Sequence, residues 1–230
     1  MSRDDPSSVT AVVRRRRSVR AFSDRPVDPE LLRQILDTAR FSPSGGNLQP
    51  WHVIVLGGEA LAGLKAVMRT RLENPRAPNE GAEYPIYPAQ LREPYRSRRF
   101  QCAEDMYATM GISRADKDAR YAFIAGNFQF WNAPVGLFFC VDRDMGGPQW
   151  SDLGMYIQTV MLLAVEAGLD CCAQEAWTHW YRTVGDYLRL PSERMMFCGL
   201  ALGYRDDSHP VNQLRTARAP LHEIVEFRGL

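Results

Sequence analysis

The run Arg14-Arg15-Arg16-Arg17-Ser18-Val19-Arg20 is the densest concentration of binding chemistry in the chain. A guanidinium is a planar fork that bonds two phosphate oxygens at once, and Ser18 adds a small donor. The same run could simply close a helix, where cations offset the dipole, or form a charged stripe for nucleic acid. Nucleic acid is disfavoured because the run is short and 28 Lys and Arg are balanced by 27 Asp and Glu, for a net charge of +1. A second constellation is Ser42-Pro43-Ser44-Gly45-Gly46-Asn47-Leu48-Gln49-Pro50-Trp51. Its small residues let backbone approach a ligand closely. Asn47 and Gln49 each donate and accept, which suits the mixed polar edge of a ring such as a flavin. An ordinary turn anchored by Trp51 would not require both amides.

Other chemistries are argued against by what is missing. The five cysteines are an odd count with no framework spacing, and no Cys-x-x-Cys occurs. The four histidines are scattered, without the i, i+4 pairing of a helical metal site. Structural roles are therefore expected for Cys and His, with Cys171 the one to watch. No Walker loop, GxGxxG or catalytic-triad signature is present. No stretch reaches the ~20 apolar residues of a membrane span, and the start is polar with no apolar signal core. The expectation is a cytoplasmic enzyme or binding protein with neither nucleic-acid nor membrane partners. At 230 residues, 45% hydrophobic and 24% charged, the chain suits a single domain, 1–230, with a sizeable core.

The elements that must position these clusters can be read from periodicity. Asp28 caps and Pro29 opens a helix carrying Leu31, Leu32, Ile35, Leu36 and Ala39. His52–Leu56 reads as a buried strand, and 59–73 as a helix. Residues 74–99 carry Pro75, Pro78, Pro85, Pro88 and Pro94 among many Tyr and Arg, which predicts an irregular lid loop over a ligand. Helices are predicted at 103–110 and 116–131. A strand follows at 135–141, then a nearly all-apolar helix from Trp150 to Ala167, buried almost all round and stopped by Gly168. Core strands are predicted at 169–173 and 195–203. The tail, 208–230, is irregular and then β-like at 221–227, and needs a surface to pack on, such as a partner subunit. The fold class is α+β, with a small mixed sheet covered by helices.

Taken jointly, these segments resemble the FMN-dependent nitroreductase family. Arg-Arg-Ser-Val-Arg is followed about two dozen residues later by Pro-Ser-Gly-Gly-Asn-Leu-Gln-Pro-Trp. Asn132-Ala133-Pro134 precedes a strand, and Trp150-Ser151-Asp152-Leu153-Gly154 opens the long helix. Gly168-Leu169-Asp170-Cys171-Cys172-Ala173-Gln174-Glu175-Ala176 is similar to the family's second flavin segment. Gly203-Tyr204 and Arg215-Thr216-Ala217-Arg218-Ala219-Pro220 are similar to its carboxyl end. The likeness spans nearly the whole chain, and is greatest to members that reduce nitrobenzoates and dinitroanilines. Two departures stand out. Ala173 and Ala176 replace a Pro and a Gly often found there. The Glu–Tyr–Lys lid triad of iodotyrosine dehalogenases is not evident, Lys65 and Lys117 being the only lysines.

The resemblance implies an intertwined homodimer with two FMN sites at the interface. Arg16, Arg17, Ser18 and Arg20 would meet the flavin's polar edge, ribityl chain and phosphate. Arg215 and Arg218 would complete the phosphate site. Pro43, Ser44, Gly45 and Asn47 would arrive from the partner, and Gln174 and Glu175 would lie along the ring. NADPH or NADH would be the electron donor and a small aromatic molecule the acceptor, in ping-pong hydride exchange. Arg20 would place positive charge near the reduced ring, and no side chain is named as catalytic. Reductive dehalogenation, enone reduction or quinone reduction would use the same cofactor. A flavin-storing or flavin-destroying protein, or a basic interaction module built on Arg14–Arg17, are readings of other classes.

Overall fold

The computed structural model describes residues 8–73 and 79–230, so the polar start and the first five residues of the expected lid lie outside the described residues. Helix α1 (Val9–Arg15) is capped by the Ser8 hydroxyl, which accepts from the Ala11 N–H at 3.2 Å, and it ends on Arg14 and Arg15. The arginine run therefore does close a helix before continuing beyond it. Helix α2 (Pro29–Ala39) starts as its sequence dictates: the Asp28 carboxylate accepts from the Glu30 N–H at 2.9 Å, with Pro29 in the first turn.

Four strands, β1 (His52–Gly57), β2 (Val135–Asp142), β3 (Asp170–Gln174) and β4 (Arg194–Gly203), form one sheet in the order β1-β2-β4-β3. Every strand pair is antiparallel, which corrects the expected mixed sheet. The reason is topological. The crossover from β2 to β3 skips one position, and β4 fills it, antiparallel to both. The one parallel pairing among the described residues is the isolated bridge between Ser18 and Cys171.

β2 is buried along nearly its whole length and divides the core. Leu137, Phe139 and Val141 meet Leu153, Ile157 and Val160 of helix α6 (Gly147–Glu166) and Ile35 and Ala39 of α2. Phe138 and Cys140 point the other way, toward Trp177, Phe130, and Leu64 and Met68 of helix α3 (Gly58–Leu72). This is the period-two alternation of a strand covered on both faces. Trp177 packs so closely on Gly199 that a Cβ there has no room.

Two helical expectations are revised. Helix α4 (Tyr95–Thr109) begins directly after Pro94, so the last residues of the expected irregular segment are helical. The helix expected at 116–131 is α5 (Lys117–Ala125) followed by a 3-10 stretch, Gly126–Asn132. There Phe130, Trp131 and Asn132 all take positive φ, at 51°, 53° and 65°. Phe130 and Trp131 are thereby turned into the core.

Helix α6 is also less enclosed than expected. Its Asp152, Leu153, Tyr156, Ile157 and Val160 are buried, but Met155 is 39% exposed. Thr159, Leu162 and Leu163 line an open apolar cleft with Val9 and Val12 of α1. One stripe of this apolar helix is thus uncovered in the single chain. After helix α7 (Tyr181–Leu188) and β4, the tail makes 3-10 turns at Pro210–Gln213 and Leu221–Glu223. The β-like reading of 221–227 is overturned: the segment has the composition of a strand, but it forms a 3-10 turn and then irregular backbone, and no strand among the described residues pairs with it. Leu221, Ile224 and Phe227 are exposed.

Candidate functional site

Beyond α1 the arginine run is pinned to the sheet and to the tail. The Arg16 N–H donates to Val12 O at 2.9 Å, and the Val19 N–H donates to Cys171 O at 3.1 Å beside β3. Val19 is fully buried, which fixes the strip against the core. The Arg20 N–H donates to Asn212 Oδ1 at 3.0 Å, and Asn212 Nδ2 donates to Ala21 O and Asp206 O, both at 2.8 Å. Asn212 is 2% exposed, so these bonds are shielded from water. Its amide joins the arginine strip to the carboxyl-terminal segment.

The result is a cavity of about 510 Å³ that brings together Arg16, Arg17, Ser18, Arg20 and Arg218, with Arg98 and Gln101 from α4. Arg17 Nε is buried and makes no hydrogen bond among the described residues. Burial, then the charges of Arg205 and Arg215, pull Arg17 below the ordinary guanidinium value, while Asp170 and Asp207 oppose them. Guanidinium nevertheless stays protonated in proteins, so Arg17 adds a cation to the cavity wall while its Nε, buried behind it, lacks a partner among the described residues. Arg215 does not line it, although its charge is felt at Arg17. Arg218 lines it but is folded on its own backbone, Nη1 donating to Thr216 O at 3.0 Å and Thr216 Oγ1 at 2.7 Å. Arg98 Nη2 bonds Glu223 Oε2 at 2.6 Å, tying α4 to the tail beside the cavity. Arg98 and Asn212 were missed in the sequence. Arg98 was submerged among lid arginines, and nothing local marks Asn212.

Pro43, Ser44, Gly45 and Asn47 are elsewhere. Their loop is docked on α6, where the Gly45 N–H donates to Asp152 Oδ2 at 3.1 Å, and Ser42 Oγ lies 2.9 Å from Thr159 Oγ1. Ser44 Oγ accepts from the Gln49 N–H at 2.9 Å. Left-handed backbone at Gly46, Asn47 and Gln49 keeps the loop tight. It lines no part of the arginine cavity, so one chain does not unite the two clusters.

Gln174 and Glu175 line a second cavity, of about 550 Å³, with Tyr87, Arg99, Tyr121 and His179. The Gln174 side chain is turned inward: Nε2 donates to Asn127 O at 2.8 Å, and Oε1 accepts from Trp177 Nε1 at 3.4 Å. Burial pushes the Glu175 carboxyl upward, toward its neutral form. Burial pushes Cys171 up too, so its thiol is no ready nucleophile.

The segment from Asn79 to the start of α4 is held at one end. Glu80 accepts from the Arg182 N–H at 2.8 Å and from Thr183, and the Glu83 N–H donates to Thr178 Oγ1 at 3.0 Å. Tyr84 is buried, stacks on Phe197 at 5.4 Å and donates its hydroxyl to Phe197 O. Tyr87 and Tyr95 stay exposed.

An α+β fold whose sheet is covered on both faces, with a basic cavity at the sheet edge and a small-residue loop docked on α6, defines a class. The nitroreductase family model matches residues 13–204, and the chain belongs to that family. It is 36% identical to the 4-nitrobenzoate reductase of Pseudomonas putida, covering 95% of both chains. It is 35% identical to the nitrobenzene nitroreductase of Ectopseudomonas oleovorans, covering 94% of this chain and 95% of that one. Among solved structures it is similar to the FMN and NADPH-dependent nitroreductase NfnB from sphigopyxis sp. strain HMH. The TM-score is 0.92, the identity 44%, and the coverage 97% of this chain and 100% of that one.

Proposed function

We propose that the chain is an FMN-dependent NAD(P)H oxidoreductase that reduces nitroaromatic compounds as a homodimer. The carrying observation is the buried, unpartnered Arg17 Nε among four further arginines of one cavity. A phosphate monoester fits this donor set, because it brings the negative oxygens that such a cluster lacks. Arg16, Arg17, Ser18, Arg20 and Arg218 hold FMN, with Arg215 adding field from outside. Pro43, Ser44, Gly45 and Asn47 serve the partner's cofactor. That reading accounts for a flavin-suited loop lying away from its own chain's cavity, and the uncovered stripe of α6 supplies dimer surface.

Bound FMN supplies the two-electron chemistry that no side chain here offers. The chain's own part is binding, orientation and charge. Arg20 lines both the arginine cavity and a neighbouring one, and its positive field favours negative charge developing nearby. Backbone at 173–175 borders the second cavity, where donor and acceptor take turns. Gln174, locked to Asn127, keeps that border rigid. Taking a nitro group to a hydroxylamine consumes two NAD(P)H and two protons and releases water. The protons come from solvent, and Glu175 has a positioning role. Asn79, Ile86, Tyr87 and Arg99 of the lid segment border this cavity, the tail at 208–230 embraces the partner, and the enzyme works in the cytoplasm.

The test is direct. Denatured protein should release FMN, and the native yellow protein should bleach with NAD(P)H and recolour with 4-nitrobenzoate or nitrobenzene. Release of FAD, or no flavin binding after reconstitution, overturns the reading.

A further inference from the structure

Helix α4 carries three arginines at its start, and two of them are committed. Arg96 Nε bonds Glu93 Oε1 at 2.7 Å, and Arg98 bonds Glu223 at 2.6 Å. On the neighbouring helix Arg120 grips Glu104 at 2.7 and 2.9 Å. Arg99 has no carboxylate within ion-pair distance among the described residues. It lies instead over the ring of Tyr87, 4.3 Å from the centroid. Cation–π stacking fixes where the guanidinium plane lies without neutralising it, and leaves its edge donors free.

Arg99 and Tyr87 line the same cavity as Gln174 and Glu175. The remaining wall includes Tyr121, Ile124, Phe128 and Trp180, surfaces suited to an aromatic ring. His179 lines it too, and its Nδ1 is buried without a hydrogen-bond partner among the described residues. Glu175 is the one carboxylate among the described residues of the lining, and burial favours its neutral form. Among the described residues, the cavity thus offers aromatic walls and one held, uncompensated cation.

We propose that Arg99, stacked on Tyr87, anchors a carboxylate of the acceptor, so that aromatic acids bearing a nitro group are preferred over neutral nitroarenes. This rests on the nitroreductase reading above. Arg99 adds affinity for the anion, and the bond-making steps at the nitro group do not involve it. The effect therefore belongs in KM and not in kcat.

The experiment compares wild type, Arg99→Gln and Arg99→Lys with 4-nitrobenzoate and nitrobenzene as acceptors. It adds calorimetric binding of benzoate to the oxidised holoenzyme, which needs no turnover. Arg99→Gln should raise KM for 4-nitrobenzoate about tenfold, the scale of one charge-assisted hydrogen bond. It should weaken benzoate binding equally and leave nitrobenzene within about twofold. Arg99→Lys should be intermediate, keeping charge without the fork. Equal effects on both acceptors, or none on either, overturn the proposal. A rise confined to KM for NADPH also overturns it, because the cation would then serve the electron donor. If wild type reduces no nitroarene the functional reading fails, while benzoate calorimetry still decides whether Arg99 is a carboxylate anchor.

Discussion

Replacing Arg17 by alanine should separate the cost of the empty cationic cavity from the benefit of its ligand. In the cofactor-free protein Arg17 is partly desolvated, repelled by Arg205 and Arg215, and has a buried donor without a partner among the described residues. Removing it relieves those terms, so apoprotein Arg17→Ala should melt no lower than wild type. The FMN complex should behave oppositely. A hydrogen bond to a charged group contributes about 1.5–3 kcal/mol, and Arg17 belongs near the top of that range because its Nε is shielded from water. A loss of about 2–3 kcal/mol is roughly 30- to 150-fold in dissociation constant. At FMN near 100 times the wild-type Kd, ligand stabilises wild type by about 2.7 kcal/mol, and most of that should vanish in the variant. Arg218 is exposed and already bonded to Thr216 and Ala217, so Arg218→Ala should cost only about 1 kcal/mol, near fivefold. The assay is an FMN titration by fluorescence quenching, with melts taken with and without FMN. Wild-type FMN affinity in Arg17→Ala, or equal loss of stability in apo and holo forms, would refute the reasoning.

Four further outcomes are expected. Met155→Glu places a charge on the uncovered stripe of α6 and should yield monomers with weakened FMN binding; a flavin-loaded dimer by light scattering would dismiss that interface. Tyr84→Phe removes a buried bond to Phe197 O and should cost about 1 kcal/mol in chemical denaturation with acceptor preference unchanged; a changed preference would make Tyr84 a substrate contact. Cys102 is the exposed thiol and lines the arginine cavity, so near pH 8 it should react alone with a thiol reagent, and FMN should protect it; unprotected labelling would put the phosphate elsewhere. At higher pH the sign is fixed by Cys140 and Cys198, both pushed to about 12 by burial. The unfolded chain loses these protons from about pH 9 upward and the folded chain does not, so stability should fall between pH 9 and 12.

Elements written in local chemistry were legible. Asp28-Pro29 opens α2, β2 is an unbroken apolar run, and Gly168 with φ of 80° stops α6. Features decided by distant packing were not. Residues 126–132 carry helix-compatible side chains, yet the core takes Phe130 and Trp131 only if the backbone turns left-handed. Gly126 and Gly136 leave the space their rings occupy. The five prolines of 74–99 masked the start of α4, although a proline beside the first turn is compatible with a helix, as Pro94 is here. At the candidate site, residue type revealed the arginine run, and its closure by Asn212 and Arg98 depends on contacts across 192 and 125 positions of chain. The tail misled because apolar composition is shared by strands and by exposed irregular segments such as this one.

The bridge from Ser18 to Cys171 bears on solubility. β3 ends the sheet, and its Cys171-Cys172-Ala173 segment would otherwise present free backbone donors and acceptors to another chain. Exposed strand edges recruit strands from neighbours unless they are covered or flanked by charge. Ser18 and Val19 lie along that edge, and the arginines before and after them carry like charges that repel an approaching copy. The strip proposed to hold the cofactor phosphate is therefore also a gatekeeper against edge-to-edge aggregation. Neutralising several of its arginines together would leave a protein that is prone to precipitate as well as poor at binding its cofactor.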